Sequence, residues 1–300
     1  MKRVIFTNGT ARCGSTLVDL ILGNDPRGFS LGEVSSWFRP WRTTHFDIKC
    51  GCGVYPCPVW HELKKVGEED LYSEILDRLD VDFVVDSSKR LTWVIDQNIR
   101  LMSAGRHQVF NLFLYKDPVS LHYSHWKRGH TDVARTTREY HYYDRAISAR
   151  LPFVAVNYDW LVSNMDDSVR RLCGLLGIPH WEGKHCFWKK QHHHLWGSFG
   201  PRKQLFEKNP SNYREGFSDE YRRLIPGYEK MFGEDPDLQG TLKFLQDRDI
   251  RNLGQYPEHG RLGVRRPVFY YRQRIRDFRL RLFPQWAADR EAATIRDRYV

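Results

Sequence analysis

The sequence contains no apolar run near the roughly 18 residues that a membrane-crossing helix needs. Its start, MKRVIFTNG, has two basic residues and then only the apolar Val4, Ile5 and Phe6, too few for the centre of a secretory signal. Internal repeats and low-complexity linkers are missing too, so 300 residues make one large domain, or one domain with an appendage. Cysteine is scarce. Of six, Cys13, Cys173 and Cys186 are scattered and Cys50, Cys52 and Cys57 cluster in CGCGVYPC, which is not a secreted disulfide framework. These absences together lead us to expect a soluble, cytoplasmic protein.

Acidic residues are outnumbered, 37 Asp and Glu against 47 Lys and Arg, leaving a formal charge of +10. That balance suits a polyanionic partner: nucleic acid, an anionic membrane face or a phosphate-rich ligand. Much of the excess follows residue 260, in RLGVRRPVFYYRQRIRDFRLRLF.

Apolar runs at 4–7, 81–86, 108–115 and 152–158 read as strands, each followed by a helical pattern: STLVDLILG, RLTWVIDQNIRLM, VSLHYSHWKRG and MDDSVRRLCGLLG. Ser87 and Ser88 read as caps of the second of these helices, and Asp117 as the cap of the one that Pro118 opens. Nearly continuous strands between helices predict an α/β fold with a mostly parallel sheet covered on both faces, and ligands then bind at the carboxyl ends of the strands. Residues 209–232 read as one or two amphipathic helices. Past Pro267, the residues Val268, Tyr271, Ile275, Phe278 and Leu282 form an apolar stripe on an Arg-studded helix ending near Pro284. We therefore expect a main domain over 1–235 and a basic helical extension over 236–300.

The first strand leads into TNGTARCGSTLVDLIL, where Gly9 and Gly14 are spaced as in the phosphate loop G-x-x-x-x-G-K-[ST]. Its lysine is absent: Ser15 stands there, Thr16 takes the hydroxyl position, and the nearest cation is Arg12 inside the loop. A triphosphate is thereby disfavoured. A ligand with one 5′ phosphate carrying a transferable group would still use the backbone N–H cradle and the Ser15 and Thr16 hydroxyls, with Arg12 near the bridging oxygen.

TARCGSTLVDLIL resembles the 5′-phosphosulfate loop of sulfotransferases that use 3′-phosphoadenosine 5′-phosphosulfate (PAPS), often R-S-G-S-T-L. YKDPVSLHYSHWKR is similar to the second half of that signature, with Lys116 for the usual Arg, Ser124 eight positions on and Arg128 closing the segment. VVDSSK at 84–89, VNYDWL, LCGLLGIP and HHHLWGSFGPR follow in family order, as does Cys-x-Cys-Gly with a later Cys-Pro-x-Trp, shared with some bacterial members. The tyrosylprotein and carbohydrate branches are the most similar.

The resemblance implies a P-loop-like three-layer sandwich. It also implies transfer of a sulfuryl group from PAPS to a hydroxyl or amine, leaving 3′-phosphoadenosine 5′-phosphate (PAP) without need of a metal. Arg12, Cys13, Gly14, Ser15 and Thr16 would hold the reacting end, Lys116, Ser124 and Arg128 the 3′ phosphate, and Gly197 and Arg202 would belong to a loop closing over the donor. Glu33, in SLGEVSSW, would be the base, with Lys89 at the acceptor or the sulfate. The acceptor remains open among carbohydrate, peptide tyrosine, lipid and small metabolite.

Structural readings compete. Ser30 to Glu33 is also S-x-x-E, a capping box; Ser87, Ser88 and Lys89 also suit a helix start; Tyr158 reads as core; and His192, His193 and His194 read mostly as a solvated run. The cysteine cluster reads as a turn with free thiols, against a local disulfide or a zinc ion with His45 or His61. The C-terminal helix reads as a packing element with a wet face, against contact with an anionic membrane or polyanion. The rival functions are a nucleotide-dependent kinase, which needs Mg²⁺ and a triphosphate, and a nucleic-acid or polyanion binder acting through the tail; no nucleic-acid partner is expected for a sulfotransferase.

Overall fold

Strands covered on both faces need apolar side chains at consecutive positions. A computed structural model of the chain describes residues 1–40, 43–47, 50–208, 216–257 and 263–282. Among them β1 (Arg3–Gly9), β2 (Gly28–Gly32), β3 (Phe83–Asp86), β4 (Gln108–Tyr115) and β5 (Val154–Asn157) form one sheet in the order β2-β3-β1-β4-β5, with every pairing parallel. The connections and the C-terminal part hold α1 (Ser15–Leu22), α2 (Ser35–Phe38), α3 (Pro58–Glu62), α4 (Leu71–Arg78), α5 (Leu91–Ala104), α6 (Pro118–Trp126), α7 (Val133–Ser148), α8 (Tyr158–Ser163), α9 (Met165–Leu176), α10 (Phe199–Glu207), α11 (Asp219–Gly233), α12 (Pro236–Asp247) and α13 (Val268–Leu282).

Alternate strand residues go to opposite faces. Val4, Phe6, Val84 and Phe113 pack with Tyr72, Ile75, Trp93, Val94 and Tyr143 from α4, α5 and α7. Ile5, Val85, Leu112, Leu114 and Val156 pack with Leu17, Ile21, Val169 and Leu172 from α1 and α9 on the other face. The result is the expected three-layer α/β sandwich. Each fully buried Val, Leu, Ile or Phe contributes about 1.5–3 kcal/mol, so these two clusters supply most of the drive for folding.

The four expected strands are present, and β2 is a fifth. β1 separates β3 from β4, so the chain turns to opposite sides of the sheet there, and the ends of β1, β3 and β4 border the crevice where such sheets bind ligands. Asp117 caps α6 as expected, accepting from the Val119 amide at 2.9 Å. Ser87 and Ser88 do not cap α5: the residue before that helix is Arg90, and the Ser88 hydroxyl instead accepts from the Ser35 amide at 2.9 Å.

Beyond residue 235, Ala155 pairs with Asp249, whose carboxylate accepts from the Tyr115 hydroxyl at 2.9 Å, and the Asn111 amide donates to the Tyr256 hydroxyl at 2.7 Å. α13 is held by an Arg90–Asp277 ion pair and by Tyr270 donating to Asp96 at 2.5 Å. The face it packs therefore carries Phe269, Tyr270 and Asp277. The apolar stripe points outward, with Tyr271, Ile275 and Phe278 each more than half exposed. The helix end expected near Pro284 and the segment 209–215 lie outside the described residues. No helix among the described residues is long and apolar enough to cross a membrane.

Candidate active site

The loop after β1 is shaped by two backbone conformations. Arg12 has φ 73° and Gly14 has φ 101°, both left-handed. A left-handed residue with a side chain costs roughly 1–2 kcal/mol, a strain typical of ligand-holding loops. Gly14 admits no side chain at all, because a Cβ there would lie 2.3 Å from the Tyr158 ring. No side chain caps α1, which begins at Ser15. The Ser15 hydroxyl is buried without a hydrogen-bond partner, an orphan that an anion's oxygen would satisfy. The Thr16 hydroxyl accepts from the Ser198 amide at 3.0 Å.

The Cys13 side chain is fully buried and packs with the α1 core, with Sγ 3.9 Å from the Asn8 carbonyl. Burial pushes the thiol's pKa up, against the lowering pull of Lys89 and Lys116. Glu139, which the sequence did not single out, accepts from the Ala11 amide at 3.3 Å, its own pKa raised by burial.

Lys89 follows β3 and Lys116 follows β4, so the two flank the loop. Lys116 donates to Ser124 Oγ at 3.2 Å and lies 4.2 Å from the centre of the Tyr158 ring. Burial lowers its pKa, Asp159 and Cys13 oppose that, and Lys127 and Arg12 add to it. Tyr158 is half-buried: it packs against the core cluster on the α1 face, as expected, and its ring also lies between Gly14 and Lys116. Arg128 lies in the exposed turn after α6. Arg202, in the first turn of α10, is half-buried; burial lowers its pKa while Cys50 and Glu33 favour its charge, which brings it into the field of Glu33.

Glu33 is not part of a capping box. Ser30 lies in β2 and its hydroxyl meets His194 Nδ1 at 2.7 Å, while the Glu33 amide donates to the Leu195 carbonyl at 2.8 Å. The Glu33 carboxylate pairs with Lys89 at 2.7 Å, both side chains about three-quarters buried. Burial works against the Lys89 charge, and Glu33 more than restores it.

The histidine run is not solvated either. His192 and His194 are buried and His193 is half-buried, because the backbone of Leu195 joins the sheet: its amide donates to Leu31 at 3.1 Å and its carbonyl accepts from Glu33. Gly32 (φ 72°) permits this approach, since a Cβ there would lie 2.1 Å from the Leu195 carbonyl oxygen.

Behind Glu33, Asp19 and His194 are both fully buried, 3.5 Å apart. Burial raises the Asp19 pKa to about 8, hydrogen bonds from Ser30, Ser87 and the Gly32 amide only partly opposing it, and burial holds His194 well below its usual pKa. The pair is therefore neutral at neutral pH. An unfolded aspartate ionises near pH 4, so between about pH 4 and about pH 8 unfolding releases a proton and stability falls as pH rises. Asp19→Asn, neutral at every pH, is expected to gain about 2–4 kcal/mol relative to the native chain between about pH 5 and about pH 8. Denaturant unfolding at the two pH values measures this, and a pH-independent difference would mean that Asp19 is ionised in the fold.

No protein-family model matches the chain, and no curated protein does. Solved structures similar to it include two sulfotransferase domains. The sulfotransferase domain from the curacin biosynthetic pathway is 13% identical, with a TM-score of 0.46, the match covering 78% of this chain and 99% of that domain. The sulfotransferase domain from the Synechococcus PCC 7002 olefin synthase is 14% identical, with a TM-score of 0.47, covering 78% of this chain and 97% of that one. Both of these neighbours are sulfotransferase domains.

Proposed function

We propose that the chain is a cytoplasmic PAPS-dependent sulfotransferase acting on an acceptor hydroxyl or amine. The observation that carries this reading is that Lys89 and Lys116 follow β3 and β4, the strands on either side of β1, and so flank a lysine-free loop in which Arg12 and Gly14 take left-handed backbone. In this reading the loop amides, Arg12, Ser15 and Thr16 hold the 5′-phosphosulfate, and Lys116 with Ser124 holds the 3′ phosphate. The acceptor oxygen forms a bond to sulfur as the bond from sulfur to the phosphate oxygen breaks. The phosphate leaves with that electron pair, beside Arg12, and the acceptor's proton goes to Glu33. Lys89 has two anionic partners here: when the sulfuryl oxygens draw it away, Glu33 Oε1 is released to accept the proton.

PAP is expected to raise the melting temperature in magnesium-free buffer, because it binds the folded chain and these cations need no metal to hold phosphate. Lys116→Ala is expected to weaken that binding by about 1.5–3 kcal/mol, the worth of a charge-assisted contact. Stabilisation by Mg·ATP and not by PAP would support a kinase instead.

Glu33→Gln keeps the size and a hydrogen-bonding oxygen but removes the base. Turnover from PAPS to any accepted substrate is expected to fall roughly 10²- to 10⁴-fold with PAP affinity nearly native, which also checks that the variant folds. Near-native turnover with chemistry rate-limiting would assign the proton to another group.

The outward face of α13 supports peripheral contact with an anionic membrane, since exposed Tyr271, Ile275 and Phe278 alternate with exposed Arg272 and Arg276. Ile275→Glu with Phe278→Glu is expected to weaken co-sedimentation with phosphatidylserine vesicles while leaving PAP binding intact. Unchanged sedimentation would leave α13 a packing element only.

A further inference from the structure

The cysteine cluster acquires a fourth member from far along the chain. The thiols of Cys50, Cys52 and Cys57 and a ring nitrogen of His193 all lie within 4.8 Å of one another. His193 Nδ1 is 3.2 Å from Cys57 Sγ and 4.0 Å from Cys50 Sγ, a contact made across 136 residues in the first case. The flanking histidines His45 and His61 are not in the group. In a tetrahedral zinc site with bonds of about 2.3 Å to sulfur and about 2.0–2.1 Å to nitrogen, neighbouring sulfur and nitrogen ligands stand about 3.5–3.6 Å apart. The two measured separations bracket that value. All six cysteines are free thiols, and three thiols cannot be paired off by one disulfide.

The surroundings also suit thiolates around a cation. The Cys52 amide points at Cys50 Sγ (3.5 Å) and the Val54 amide at Cys52 Sγ (3.4 Å), so backbone donors face two of the sulfurs. The His193 ring stacks on Phe29, and its carbonyl accepts from Trp60 Nε1 at 2.6 Å, which fixes the side chain with Nδ1 toward the thiols. Three thiolates with one divalent ion carry a net negative charge, and Arg202 lies within the field of Cys50.

We propose that Cys50, Cys52, Cys57 and His193 form a structural zinc site. Three sulfurs and one imidazole select zinc among common divalent ions, and four protein ligands close the tetrahedron, leaving no position for a substrate. The ion pins the turn before α3 to the segment 193–195. That segment goes on through Leu195, hydrogen-bonded to Glu33, to Ser198 on Thr16, so the ion braces both sides of the crevice without entering the chemistry. The assignment is independent of which reaction the crevice performs.

The test is metal analysis of the native full-length chain, expressed with zinc and purified under reducing conditions without chelator. About one zinc per chain is expected, as is release of the ion on titration of thiols with a mercurial. Exchange with Co²⁺ is expected to give visible bands of tetrahedral cobalt together with thiolate-to-metal charge transfer. His193→Ala and Cys52→Ser are expected to lose most of the zinc and to melt at lower temperature, and Cys186→Ser, outside the cluster, to retain both. If the variants fail to fold, the native chain's metal content and cobalt spectrum decide. A folded native chain with neither zinc nor cobalt uptake, or a disulfide within the cluster found by mass spectrometry under non-reducing conditions, would overturn the proposal.

Discussion

The backbone of Leu195 is hydrogen-bonded into the end of β2, and the rest of the crevice hangs on that splice. Its amide takes the Leu31 carbonyl, its carbonyl takes the Glu33 amide, and the neighbouring His194 carbonyl accepts from Gly51 at 2.7 Å. One short segment therefore fixes the direction of Glu33, holds the cysteine-bearing turn, and delivers Ser198 to the Thr16 hydroxyl at the start of α1. The contact exists because Gly32 has no side chain. A larger residue there would push Leu195 off the sheet edge and disconnect three parts of the site at once, which is why a lone glycine in a short strand carries more structural consequence than its size suggests.

Charge in this crevice is arranged by what burial permits. Asp19 and His194 are deep enough that both take their neutral forms, so they serve as a hydrogen-bonded support behind β2 rather than as an ion pair. Glu33 and Lys89, less deeply set, stay paired as ions, and the pairing offsets the desolvation of the lysine. A buried pair of this kind adds little net stability over an apolar pair, but it holds the two side chains in register. The strained Arg12 backbone and the unsatisfied Ser15 hydroxyl belong to the same pattern: local costs concentrated where an anion would relieve them.

What could be read in advance followed from contiguous signals. Strands with unbroken apolar runs, such as β4, and the strand–loop–helix around the two glycines after β1 are local patterns, and both were legible. β2 was not, because GFSLG has only two apolar residues and takes its strand conformation from pairing with β3. The Glu33 capping-box reading failed for the same reason, since Ser30 is committed to the sheet and to His194. α7 hides its periodicity in tyrosines, Tyr140 and Tyr143 packing inward among charged neighbours. The outward stripe of α13 misled because the helix is held by Phe269 and Tyr270 against the core and by the ionic anchor Asp277, a face that falls beside the stripe rather than on it. His193 was the least legible: nothing within its own neighbourhood points to a cluster more than a hundred residues earlier.

The missing loop lysine can be understood from where the cations went. A phosphate loop that carries its own lysine concentrates positive charge along one line, suited to a chain of consecutive phosphates. Here the loop keeps only Arg12, and Lys89 and Lys116 stand at the ends of the strands on either side of β1, so the positive field spreads across the crevice. Such a spread fits a ligand whose anionic groups are separated. Lys116 is held there at a cost: burial pulls its pKa down, the Asp159 carboxylate opposes this only in part, and its direct contacts are a hydroxyl and an aromatic face. A phosphate brought to about 4 Å would return roughly 4 kcal/mol at an effective dielectric of about 20. The same ammonium, fully paired within the protein, would have gained far less. In the proposed reading that under-compensated cation favours an anion beside β4 rather than at the loop's own tip, and this would be the physical content of the departure from the ordinary phosphate loop.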